Sequence, residues 1–363
     1  MEILTSKCSS DLMVNASFTT CPAVLSTSGQ PEMISYFQSL IIDTVNRVAI
    51  NTVLGMTGVA TNVINMCVFL KQGLHVSMNI NYFVLATVDL LRTINYLWMT
   101  VCSNPEIETR DSPFIFQDIQ YLTNGWISGS LERVTIFIIA FMTVQRCFSI
   151  LKPLSIKRMI TPVRSAIVLL VIFLINGVVV IPGCISIYFD YRFYPSKNRT
   201  FLGLAFLRSS TENEGIAFAM HAVLYVISLS VLITFTLLLV LQMEQQSKWR
   251  RTTLIKNQHP IISKKDKKIS KLVSLLAIFL IILCTPKVVV SIASTLVPDF
   301  SVSGNQVNLF SAIWSFAHVF GAINVNLNIF IYYTMSSKYR QVLKNIFTFL
   351  CKKQNTPWTE SDT

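Results

Sequence analysis

Seven runs of apolar residues, at about 47–70, 79–101, 120–149, 165–188, 215–242, 269–297 and 306–333, constrain this chain more than any other feature. Each is long enough to cross a lipid bilayer, which takes about 20 predominantly apolar residues. In hydrocarbon the backbone N–H and C=O groups find no water, so a crossing segment must pair them internally as a helix. Only 13% of the 363 residues are charged and 52% are hydrophobic, whereas a soluble domain carries about 25% charged residues. The runs therefore predict an all-α membrane protein built as a seven-transmembrane helix bundle. No pair of matching interrupted segments marks the chain as a transporter-type internal repeat.

The net charge of +12 is unevenly placed. Lys and Arg crowd the segments after the third, fifth and seventh runs: Lys152 to Arg164, Lys248 to Lys271, and Lys338 to Lys353. Basic loops stay cytoplasmic, so the N-terminus is expected outside and the C-terminus inside. That placement also turns the basic balance away from nucleic acid and toward membrane lipid. Residues 1–46 then form an extracellular N-terminal segment, 47–333 the bundle, and 334–363 a cytoplasmic amphipathic helix and tail. Residues 1–45 lack a charged start followed by an apolar stretch, so the first run is expected to act as an uncleaved anchor. Two glycosylation sequons, at Asn15 and Asn198, fall on the expected outer side. Cys8, Cys21, Cys102 and Cys184 lie outside or at the outer edge, where disulfides are permitted. Their three connectivities are equally compatible with the sequence. Cys351, after the last basic cluster begins, is a candidate palmitoylation site.

Polar groups inside a span are costly, about 2.5–3.5 kcal/mol for a central charge on insertion scales. Asn62, Asp89, Arg92, Glu132, Arg133, Lys287, Asn324 and Asn328 all accept that cost. Amides in lipid also tie helices together, which is the plainer account of Asn62. A lone carboxylate such as Asp89 needs a cation or a proton. Asn328 and Tyr332, four apart, share one helix face. Glu132 and Arg133, about 100° apart on their helix, face different neighbours.

The stretches that carry these residues resemble rhodopsin-like G-protein-coupled receptors. "NYFVLATVDLL" (81–91) is similar to that family's second helix and Asn62 to its first-helix Asn. "VQRCFSILKPL" (144–154) resembles the end of its third helix, keeping Arg146 and Pro153 but with Gln145 and Cys147 as flanks. "LCTP" (283–286) keeps the sixth-helix Pro286 with Cys284 in place of Trp. "NIFIY" (328–332) resembles the seventh-helix motif, with Ile329 in place of Pro. "SSKYRQVLKNIFTFL" (336–350) looks like a short amphipathic eighth helix. The set most resembles invertebrate chemosensory receptors, molluscan ones in particular, with invertebrate neuropeptide receptors sharing several features. Several family features are missing: the third-helix Cys falls near Tyr121, residues 185–213 contain no Cys, and the fourth-helix Trp and fifth-helix Pro are lacking.

The resemblance implies a receptor that couples an extracellular small molecule or short peptide to a heterotrimeric G protein at the plasma membrane. It implies a sodium and polar relay at Asn62, Asp89, Thr135, Asn324 and Asn328, with sodium on Asp89 and no other cofactor. Arg92, one turn above, competes for the same carboxylate. Arg146, Pro153, Pro286 and Tyr332 would form the switch toward the G protein, and loss of the acidic flank at Gln145 points to raised basal activity. The outer halves offer Arg92, Tyr96, Ser128, Glu132, Lys287, Trp314 and His318 to a ligand. An unpaired Lys287 would call for an acidic ligand, whereas a Lys287–Glu132 pair would merely hold two helices. A seven-span channel or transporter subunit is the alternative from another class, and the expected orientation argues against it. No nucleophile–base pair or phosphate loop suggests an enzyme.

Overall fold

A computed structural model describes residues 33–104, 106–107, 112–151, 158–185, 187–194, 198–206, 210–253, 264–297, 299–300 and 305–354. Asn15, Pro153, Cys8 and Cys21 lie outside the described residues. The chain folds as the expected bundle: α1 (Tyr36–Gln72), α2 (Ser77–Cys102), α3 (Asp118–Leu151), α4 (Pro162–Ile185), α5 (Ser210–Thr253), α6 (Lys264–Leu296) and α7 (Val307–Met335). The amphipathic α8 (Ser337–Gln354) follows α7 after a single break at Ser336.

Among the described residues, six helices are long and apolar enough to cross a membrane by composition; α2 is the one of the seven that is not. Its polar residues explain why. Asn79, Asn81, Asp89, Arg92 and Thr93 are all buried, facing protein and not lipid. α3 is the central helix, with 67% of its apolar window buried against 22% for α4 and for α5, which turn most of their surface to lipid.

Several boundaries differ from those the apolar runs suggest. α1 starts at Tyr36, eleven positions before the first run, because Ser35 and Gln38 form a reciprocal capping box there. The added turns, which pass through a π-helical stretch at Thr44–Ile50, are fastened to α7. Asn46 donates to Ser315 Oγ (2.8 Å), Ser39 to the Asn308 carbonyl (2.9 Å), and Ser311 to Asp43 (2.5 Å). Residues 36–46 therefore belong to the bundle and not to a separate N-terminal segment. α5 runs on past 242 to Thr253, and α6 starts at Lys264. The start of α4 is set by Thr161, whose hydroxyl accepts from Arg164 N–H, with Pro162 in the first turn.

The other departure from an all-α reading is an antiparallel hairpin between α4 and α5, β1 (Ile187–Tyr194) and β2 (Arg199–Phe206), with Ile187 opposite Phe206. Its strands, "IYFDYRFY" and "RTFLGLAF", are rich in aromatic residues, which favour a pleated surface. Asn198 sits exposed beside its tip at φ +50°, a left-handed conformation that Asn tolerates. β2 docks on the segment leading into α3: Leu202 N–H donates to Pro113 C=O (2.9 Å), Ile115 N–H to Leu202 C=O (3.3 Å), and Leu204 N–H to the buried Asp118 carboxylate (3.0 Å). Cys102 and Cys184 are free thiols, so main-chain bonds and one carboxylate hold the hairpin to α3.

Candidate functional site

Three polar layers lie one below another inside the bundle. The middle layer is built from one face of α2 and the facing side of α7. Asp89 and Arg92 are one turn apart and both buried, with Arg92 Nη1 3.3 Å from Asp89 Oδ1. The same guanidinium nitrogen donates to Asn324 Oδ1 (3.2 Å), and Asn328 Nδ2 donates to the other Asp89 oxygen (2.6 Å). The Thr135 hydroxyl donates to Leu131 C=O and also reaches the carboxylate. Both oxygens of Asp89 thus already accept from N–H donors, and the cation beside it is the Arg92 guanidinium. This donor set does not fit an added sodium ion. Asn62, expected in the same layer, instead clasps α1 to α7 by donating to Val325 C=O (3.1 Å) and to Gly58 C=O.

The outer layer gathers most of the residues expected to meet a ligand. Lys287 Nζ is bonded to Glu132 Oε2, and the Glu132 carboxylate also accepts from Tyr225 Oη (3.4 Å) and Cys284 Sγ (3.7 Å). Lys287 is therefore paired, and the unpaired ammonium that would call for an acidic ligand at that position is not there. Tyr96, His318 and Trp314 form a ring ladder with centroids 6.5 and 6.0 Å apart. Gly321 lets the Tyr96 hydroxyl lie directly against the α7 backbone, where any β-carbon would collide. Arg92 and Tyr96 lie within electrostatic reach of Lys287 and Glu132. His318 Nδ1 and Trp314 Nε1 are buried without a hydrogen bond among the described residues. Ser128 is half-buried on α3, one turn above Glu132.

The inner layer faces the basic end. The Gln145 side chain bridges α2 and α4, accepting from Asn81 Nδ2 (2.8 Å) and donating to Ser165 Oγ (3.1 Å). Ser165 in turn is bonded to Ser77. Arg146 is buried within electrostatic reach of Tyr82. Tyr332 packs edge-on against Phe69 (5.0 Å) and Tyr82 (5.4 Å) and beside Tyr339 (5.6 Å). Its hydroxyl has no hydrogen-bond partner among the described residues. Tyr339, at the start of α8, donates to Asn65 Oδ1 (2.6 Å), and burial pushes its phenol above the usual range so that it stays a donor. Pro286 lies inside α6, where it removes a backbone donor and loosens one turn. Cys351 sits in the last turn of α8 and Asn198 beside the hairpin tip.

A fourth cluster joins residues that the sequence does not single out together. Arg133 turns away from Glu132, as its spacing requires, and meets Asn176 Oδ1 (Nε, 3.1 Å) and His221 Nδ1. Asn176 and His221 are lone polar residues in apolar runs, which is the signal that would have found them. Asn326 was likewise unremarked; it joins α1 and α7 through Leu54 C=O (2.9 Å) and Thr57 Oγ1 (3.1 Å).

Residues 49–350 match the sequence model of a family described as the serpentine type 7TM GPCR chemoreceptor Srw. No curated protein matches the chain.

Proposed function

Because the chain belongs to the Srw family of serpentine seven-transmembrane chemoreceptors, we propose that its stacked polar layers carry a ligand signal from the outer cavity to a G protein. The family is one of multi-pass membrane receptors, so an extracellular ligand and G-protein coupling come with membership. The observation that carries the finer reading is the continuity of the layers. Glu132 and Lys287 link α3 to α6, Arg92 and Asp89 link α2 to α7 through Asn324 and Asn328, and Tyr332 lies one turn below Asn328. A ligand bound among Tyr96, Ser128, Trp314 and His318 would bias the first link, and the buried charges would pass that bias on. Two-state coupling needs such an element, whose arrangements both sites favour differently.

In this proposal the Arg92 guanidinium replaces the sodium ion beside Asp89, so the relay needs no metal. Arg146, Tyr332 and Pro286 are the moving end, with Gln145 holding α3 to α2 and α4 in place of an acidic lock on Arg146. The rhodopsin-like character, and the nearer likeness to molluscan receptors, belongs to the same proposal and rests on Asn62, Asp89, Arg146, Pro286, Asn328 and Tyr332 standing in the matching places. Cells expressing the receptor with calcium and cyclic AMP reporters test it, with amino acids, small odorants and short amidated peptides as the library. A concentration-dependent response that Arg146→Ala abolishes at equal surface expression is expected. An unchanged response in Arg146→Ala would take the switch away from this residue.

A further inference from the structure

Arg133 is 1% exposed, yet among the described residues no ion pair includes it, and its sequence neighbour Glu132 is committed to Lys287. A guanidinium only donates hydrogen bonds. His221 Nδ1 must therefore accept from Arg133 Nη1, which leaves the imidazole proton on Nε2. Arg133 Nη2 and His221 Nε2 are then two buried N–H donors without an acceptor among the described residues. Gly129 lies beside both: a β-carbon there would sit 3.6 Å from His221 Cε1 and 3.8 Å from Arg133 Nη1. One fixed positive charge and two neighbouring free donors are the complement of a carboxylate with two oxygens.

On the outer side Trp126 covers the cluster, with its ring 5.4 Å from that of His221 and its indole pressed against Gly183 of α4. On the lipid side an apolar groove of about 580 Å³ runs between α4 and α5, walled by residues that include Leu174, Val178, Val179, Met220, Val223 and Leu224. Val179 is three residues from Asn176 and Leu224 three from His221, so groove and cluster lie about one turn apart on the same two helices. The groove's volume is that of a small-molecule site. Arg133 lies seven residues, ~10 Å, below Trp126 along α3.

We propose that Arg133 and His221 bind the carboxylate of an amphiphilic ligand, a monocarboxylic acid with an apolar tail, whose tail lies in the groove between α4 and α5. The inference rests on the receptor reading and adds to its outer cavity a second, lipid-facing ligand site. Lateral entry suits such a ligand, because the bilayer concentrates its tail and the protein supplies the charge.

Full-length receptor in phosphatidylcholine nanodiscs, with decanoate as the probe and decanol as its uncharged counterpart, provides the test. Decanoate is expected to raise the melting temperature saturably, and decanol is not. Arg133→Met and Val223→Trp should each weaken decanoate binding by about tenfold or more, since a lost charge partner or a filled groove removes a main contact. Lys338→Met, at the start of α8 and far from the groove, should leave decanoate binding unchanged. Should Arg133→Met fail to fold, Val223→Trp carries the test, being a surface position facing lipid. Equal stabilisation by decanol, or unweakened decanoate binding by Val223→Trp or by folded Arg133→Met, overturns the proposal and marks the groove as a seam for membrane lipid. A receptor that answers other chemicals in the cell screen but does not bind decanoate overturns only this inference. One that binds decanoate but stays silent toward decanoate and every other chemical in the screen leaves this site standing and overturns the proposed signalling relay instead.

Discussion

Burying Asp89 and Arg92 side by side removes two charges from water, and their mutual attraction with two amide contacts offsets that loss. Removing one partner leaves the other charge buried and alone, which costs about 3–5 kcal/mol. Asp89→Asn and Arg92→Met are each expected to lower the melting temperature and surface yield, while the double variant recovers most of both. Independent, additive losses in that cycle would show that the pair is not coupled. The same geometry predicts that the response to an agonist does not shift with sodium concentration, in wild type or in Asp89→Asn. A sodium-dependent wild-type response that the variant loses would restore the ion to this carboxylate.

Among the elements, α3 is held to α6 by one ion pair and to the outer hairpin by one carboxylate. Exchanging the first, Glu132→Lys with Lys287→Glu, should rescue the surface expression that either single reversal loses, because the pair serves as a link between helices. Persistent loss in the double variant would mean that the orientation of the charges matters as well as their attraction. For the second, Asp118→Ala leaves Leu204 N–H buried without its acceptor, a penalty of about 1–3 kcal/mol. Faster hydrogen exchange at 199–206, with α1 and α7 unaffected, is the expected signature. Asp118 thus ties β2 to α3 by a hydrogen bond, and Cys102 and Cys184 form no disulfide with each other.

For the molecule as a whole, the orientation follows from charge. A tag on the N-terminus should stain in intact cells and one on the C-terminus only after permeabilisation. Asn198, exposed beside the hairpin tip, should be glycosylated, so Asn198→Gln should sharpen and speed the receptor band on a gel. Surface staining of the C-terminal tag would reverse the topology. The number of helices, their expected orientation and most of the buried groups that need partners can be read from the chain before it folds. Those properties follow from sums along the chain: apolar length against bilayer thickness, Lys and Arg counts per loop, and the cost of each polar group in hydrocarbon. Even α2, too polar to qualify by composition once the helix is drawn, was legible as the apolar run at 79–101. Who partners whom is set by how the helices pack. Whether Asp89 takes Arg92 or an ion, whether Lys287 stays free or meets Glu132, and that Arg133 finds His221 all depend on how the helices rotate against one another. Spacing at 100° per residue fixes directions within one helix and says nothing about the angle at which the next one packs. The hairpin escaped for a related reason, since its pairing with the segment before α3 joins residues about 90 positions apart, whose meeting no local pattern records.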